Sequence, residues 1–129
     1  MQRTNISSGT PWESVAGYSR AVRIGQFIFV AGTVAADSEG KVQGGNDAYL
    51  QTKYILRKIE TALNQAGASM NDVVRTRMFV TDISLFREIS RAHHEYFHDV
   101  RPAATMVQVS ALQSKEMLVE IEVDAVDSK

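Results

Sequence analysis

Apolar and polar positions follow two different periods along this chain, and the switches between them mark its elements. Ser19 to Ile24 and Phe27 to Ala31 alternate as strands do, and Gly25 with Gln26 supplies a turn, so the segment is predicted to be a hairpin. Asp37 to Asn46 is polar, carries Gly40, Gly44 and Gly45, and ends on Asn46 or Asp47, either of which can cap a helix. Beyond it Ala48, Thr52, Ile55, Ile59, Ala62, Leu63 and Ala66 recur at steps of three and four. That is one apolar stripe of an α-helix, stopped at Gly67. Val73 to Thr81 returns to period two, which places Val74, Thr76, Met78 and Val80 on a face toward the helices and Arg75, Arg77 and Phe79 on the other. A second helix is predicted from Asp82 or Ser84, with Phe86, Ile89, His93 and Phe97 on its stripe and an end before Pro102. Thr105 to Ala111 and Met117 to Ala125 predict two closing strands. The latter alternates Val119, Ile121, Val123 and Ala125 with Glu120, Glu122 and Asp124.

The order is ββαβαββ, an α+β protein in which two helices cover one face of a mixed sheet. The other face must be solvated or find a partner, and self-association is the natural solution. The 129 residues support one core, so residues 1–129 are read as one domain. With 44% hydrophobic and 22% charged residues, the composition is that of a folded chain. Fourteen Lys and Arg nearly cancel 15 Asp and Glu, so no overall field draws in nucleic acid. No apolar run reaches the roughly 20 residues of a membrane span, and Met1 to Ser8 lacks a signal-peptide core, so the expected address is the cytoplasm. The absence of cysteine excludes disulfides, thiol nucleophiles and thiolate metal sites.

Four motifs now stand in order on the predicted elements. Gly17-Tyr18-Ser19-Arg20-Ala21-Val22 followed by Phe27-Ile28-Phe29-Val30-Ala31-Gly32 resembles an opening hairpin that reads PYSQAV and then IFVSGQ in the reactive intermediate deaminase family, also called Rid or YjgF. Val73 to Asp82 is similar to that family's central strand. Pro102-Ala103-Ala104-Thr105-Met106-Val107-Gln108-Val109 and Val119-Glu120-Ile121-Glu122-Val123 resemble its closing strands, PARSxVEV and VEIEA. The resemblance runs from about Pro11 to Ala125. It implies a chorismate-mutase-like subunit, three of which pack their sheets into a barrel with small-molecule sites in the clefts between subunits. It also implies hydrolysis of imines and enamines, without a cofactor or metal.

The chain departs from the pattern where the family's arginine clamps a substrate carboxylate through two parallel hydrogen bonds. Ala104 occupies that position. Ala31 stands where many members carry serine, and Ser90 where some carry asparagine. The resemblance assigns Glu120 to the water beside the imine carbon, and Tyr18, Ala31, Gly32, Ser90, Ala104 and Thr105 to the lining of the cleft. Set against this, alternating acids on a last strand are commonly a solvated or paired face, and Tyr18 fits a structural role as well. Arg75, Arg77 and Arg101 are the candidates for a substitute clamp, although strand arginines commonly pair with strand acids. His94 and His98 stand four apart on the second helix, a spacing that lets two imidazoles face one metal with Glu95 or Asp99 nearby, although an exposed polar face rimmed by histidines is the commoner meaning of such a pattern. The glycines before the first helix lack the spacing and lysine of a phosphate loop, and no nucleophile elbow occurs.

The leading expectation is an imine or enamine deaminase whose substrate is not a simple 2-imino acid, because Ala104 cannot clamp one. A trimer that binds a metabolite without turning it over is the alternative. A ribonuclease fits the near-neutral charge least.

Overall fold

Asp47 opens the longest helix: its carboxylate accepts the Leu50 N–H at 3.1 Å, and Ala48–Gln65 follows as an 18-residue helix, α2. The computed structural model describes residues 1–128. All seven residues of the sequence-derived stripe are buried in it, together with Gln51 and Leu56. Gly67, at φ 82°, makes the left-handed exit that ends α2.

Six strands form one mixed sheet. They are β1 Arg3–Ile6, β2 Ala21–Ile24, β3 Phe27–Val34, β4 Val73–Val80, β5 Ala103–Gln108 and β6 Val119–Val126, in the order β1-β2-β3-β6-β4-β5. Among the described residues, only the β4–β5 pair is parallel. Helix α2 and a second long helix, α3 (Phe86–Phe97), pack on the face carrying Ile28, Val30, Thr76, Met78, Val80, Val119, Ile121 and Val123. The opposite face is open, with Phe27, Phe29, Val74 and Val107 all more than two-fifths exposed. Among the described residues, no helix is long and apolar enough to cross a membrane.

Several elements differ from the sequence reading. The ββαβαββ order gains a leading strand, β1, and a six-residue helix, α1 (Pro11–Ala16). β1 reads RTNI, without apolar alternation, and exists because β2 pairs with it as an edge. Pro11 starts α1, Gly17 at φ 78° stops it, and the buried Glu13 carboxylate accepts the backbone N–H and hydroxyl of Ser8. β5 starts two residues before the predicted Thr105 and ends at Gln108. α3 starts at Phe86, after a 3₁₀ turn over Ile83–Leu85 in which Asp82 accepts the Ser84 N–H. Phe86 is exposed, so the apolar face of α3 is Ile89, Ala92 and Phe97, with the partly buried His93 bonded to the Thr76 hydroxyl.

Val74 is the clearest correction. A bulge in β4 places one extra residue between Val73, opposite Ala125, and Arg75, opposite Asp124. Val73 therefore points into the core and Val74 out of it, and the predicted phase holds from Arg75 onward.

Candidate functional site

A second bulge builds the candidate site. In β3 the register moves from Val30 opposite Val123 to Thr33 opposite Ile121, so Ala31 and Gly32 together face Glu122 alone. Beyond the bulge Val34 lies opposite Glu120 on β6. Gly32 is needed here for space: a Cβ at this position would overlap Oε2 of Glu120 and lie 3.1 Å from its Cδ. The Glu120 side chain thus rests on bare backbone. Burial holds its carboxyl above the ordinary glutamate value, opposed by the Arg20 charge and reinforced by Glu122.

Around this carboxylate lies a cleft of about 990 Å³, bordered by the Asp37 to Val42 loop and by the segment before β6. Arg20 enters from the turn before β2 and donates from Nη2 to the Gly32 carbonyl at 2.6 Å. Its Nε is buried without a hydrogen-bond partner. Burial lowers the Arg20 pKa, opposed by Tyr18, Glu13 and Glu120, and a guanidinium stays charged regardless. Lys58 comes from α2 and donates to the carbonyls of Val34 at 3.0 Å and Ala36 at 2.7 Å. Burial first, and then the Arg20 charge, bring its pKa down from 10.5 to about 8. Trp12, Tyr18 and Tyr54 add aromatic surface, and the Arg20 guanidinium carbon stands 5.9 Å from the Tyr18 ring centre. Ser114 also lines the cleft, and its hydroxyl oxygen is buried without a partner.

Of the residues singled out in the sequence, Tyr18, Ala31, Gly32 and Glu120 meet in this cleft. The others lie elsewhere within the chain. Ala104 and Thr105 are exposed on β5, opposite Thr76 and Arg77, with β4 and β6 between them and β3. Ser90 is exposed on α3. Arg77 bonds Glu122 and Asp124, each at 3.2 Å, the strand-to-strand pairing anticipated for it, and Arg75 stands opposite Asp124. Arg101 is exposed beyond α3, at φ 53°. His94 and His98 sit on an exposed face with ring centres 5.5 Å apart, where His98 meets the His94 carbonyl and the Asp99 carboxylate.

Sequence reasoning passed over Arg20, Lys58, Trp12, Tyr54 and Ser114. Two of them left a signal. Arg20 stands in GYSRAV where the resembling motif reads glutamine, and Lys58 lies three residues after Ile55 and beside Ile59, on the flank of the apolar stripe.

Comparison with known proteins agrees with this fold. Residues 9–127 match the family described as endoribonuclease L-PSP. A RutC family protein of Pyrococcus abyssi is 39% identical, over 84% of each chain. The 3-aminoacrylate deaminase RutC of Acinetobacter baylyi is 33% identical, over 90% of each. A Mycobacterium tuberculosis crystal structure, described as a YjgF-type family member, is 50% identical and superposes with a TM-score of 0.89 over 97% of this chain and 99% of that one. RidA from an Antarctic Psychrobacter is 31% identical, with a TM-score of 0.77 over 84% and 87%. With that match across nearly all its length, and with their α+β fold, the chain belongs to the endoribonuclease L-PSP family, that of the YjgF, RutC and Rid proteins.

Proposed function

We propose that this protein hydrolyses a small imine or enamine to a carbonyl compound and ammonia, in clefts completed by neighbouring copies of a homotrimer. The observation that carries the reading is the Glu120 carboxylate, half-buried over Gly32 with its pKa raised, beside the Arg20 cation. A carboxylate so placed accepts a proton from water as the water oxygen bonds to the imine carbon. The C=N π electrons pass to nitrogen, which takes that proton from Glu120. The resulting carbinolamine gives its hydroxyl proton to Glu120, which passes it to nitrogen as C=O forms and ammonia leaves. An enamine enters the same sequence once its β-carbon has been protonated. The relative from Acinetobacter baylyi carries the name 3-aminoacrylate deaminase, which supports this reaction class.

The open sheet face supports the trimer, because the exposed Phe27, Phe29, Val74 and Val107 need cover. In such an assembly Ala104, Thr105 and Ser90 come to a cleft from a neighbouring copy. Ala104 still brings no cation, so a substrate carboxylate gains no clamp from β5. Light scattering at micromolar concentration should give three times 14.3 kDa, and a monomer or dimer would remove the shared cleft.

Ammonia release across a panel of freshly generated imines and enamines tests the reaction, with Glu120→Gln as control. Release by the wild type that disappears in the variant supports the reading, and equal release by both overturns it. A trimer that only binds a metabolite is the second reading. It is favoured by Ala104 together with the unpartnered Arg20 Nε and Ser114 Oγ, which suit a bound polar ligand whether or not it reacts.

A further inference from the structure

Two cations of this cleft make no close ion pair, although Glu120 acts on Arg20 and Asp37 on Lys58 at longer range. Arg20 and Lys58 are held by backbone carbonyls, of Gly32 in one case and of Val34 and Ala36 in the other, and neither lies within ion-pair distance of a carboxylate among the described residues. Carbonyls position a cation without neutralising it. Two of the three ammonium protons of Lys58 are occupied and the third is free, while Arg20 spends one donor on Gly32 and leaves its buried Nε–H unpaired. The second buried and unpartnered polar side-chain atom among the described residues, Ser114 Oγ, borders the same space. Buried polar groups are nearly always satisfied, so two orphans around one cleft mark a site shaped for a polar ligand. Like charges sharing a wall raise each other's cost, which an anion between them relieves.

We infer that Arg20 and Lys58 are the specificity-determining pair of this cleft, binding the anionic group of the substrate from within one chain. This places the anion on the wall made by the β2 turn and α2, and not on β5, where Ala104 offers nothing. The ligand is a carboxylate on a planar body large enough to contact Trp12, Tyr18 or Tyr54. The carboxylate part stands on the two cations alone. That the bound molecule is an imine or enamine rests on the reading proposed above.

Benzoate and its neutral counterpart benzamide separate the two ideas, because neither is a substrate. Titrated into the intact protein and followed by calorimetry, benzoate should bind on the order of tenfold or more tighter than benzamide, the effect of a charge-assisted hydrogen bond. Arg20→Gln should abolish that preference, and Lys58→Gln should weaken it, with circular dichroism and melting temperature confirming that both variants fold. Arg20→Lys keeps the charge without the fork and should recover part of the preference. Absence of benzoate binding, equal binding of both probes, or an unchanged preference in Arg20→Gln would each overturn the inference. The Glu120→Gln ammonia assay answers independently. If that variant keeps activity while the benzoate preference stands, the hydrolase reading fails and the anion site survives.

Discussion

Gly32 holds open the space that the Glu120 carboxylate occupies: a side chain at position 32 would run into Oε2 of Glu120. The atom in the way is the free end of a side chain, so the conflict resolves by moving Glu120 and leaving the backbone in place. Gly32→Ala should therefore unfold with a change below about 1 kcal/mol, less than the usual cost of overpacking a core. Its hydrolytic rate should fall roughly a hundredfold, the scale expected when a reacting group is displaced by about an ångström. Denaturant melts alongside ammonia-release rates check both. A variant that unfolds easily and keeps its activity would show that Gly32 serves the sheet and not the carboxylate.

Glu120 itself is held at an energetic disadvantage. Its folded-state pKa is raised chiefly by burial, so the native state binds the proton more tightly than the unfolded chain does. Stability contributed by the protonated form is present below the unfolded pKa and is lost as pH rises through the folded one. At neutral pH the residue is a net cost, and Glu120→Gln, isosteric and uncharged, should melt at a higher temperature than the wild type. That gap should narrow toward pH 4. A lower melting temperature for the variant at pH 7 would mean that the Arg20 attraction outweighs desolvation.

Lys58 gives the opposite slope at higher pH. Its folded pKa of about 8 lies below the 10.5 of an ordinary lysine, so between these values the unfolded chain holds more protons and stability rises with pH. The charged groups around it are Arg20, Asp37, Glu39, Glu116 and Glu120, with Tyr18 and Tyr54. Comparing wild type with Lys58→Gln removes their common contribution. The difference should move in favour of the wild type from pH 8 toward 10, by about 1–2 kcal/mol once partial exposure is allowed for. A flat difference would place the lysine in a wetter setting than its two carbonyl bonds imply.

Ile59 tests the packing beneath the site. It is fully buried in the middle of the α2 stripe. Ile59→Ala should cost about 2 to 5 kcal/mol in chemical denaturation, the range for truncating a buried isoleucine. A loss under 1 kcal/mol would mean that the helix closes over the vacancy.

The α2 stripe was legible because a helix face is written at fixed steps in one contiguous segment. The two bulges were not, since an extra residue in a strand is defined by its partner across the ladder, and nothing local at Val74 or Ala31 announces it. Polar β1 escaped for a related reason: Arg3–Ile6 becomes a strand only through β2. At the candidate site, Tyr18, Gly32 and Glu120 were found through resemblance. Arg20 and Lys58 were missed because a charged residue beside an apolar pattern reads as solvated until the carbonyls that hold it come from distant segments. Arg77 is the counterexample, readable from the acids of the facing strand.

The bulge at Ala31 and Gly32 separates what the sheet needs from what the cleft needs. β3 spends three steps from Val30 to Thr33 where β6 spends two from Val123 to Ile121. A chain shortened by Gly32 alone would align Ala31 with Glu122 and leave Ile28, Val30, Thr33 and Ala35 all facing inward. The ladder would become regular and the core would keep its contents. The recess under Glu120 would close, and with it the carbonyl that anchors Arg20. One codon is therefore surplus to the architecture, and deleting it should yield a well-folded protein with an empty vocation.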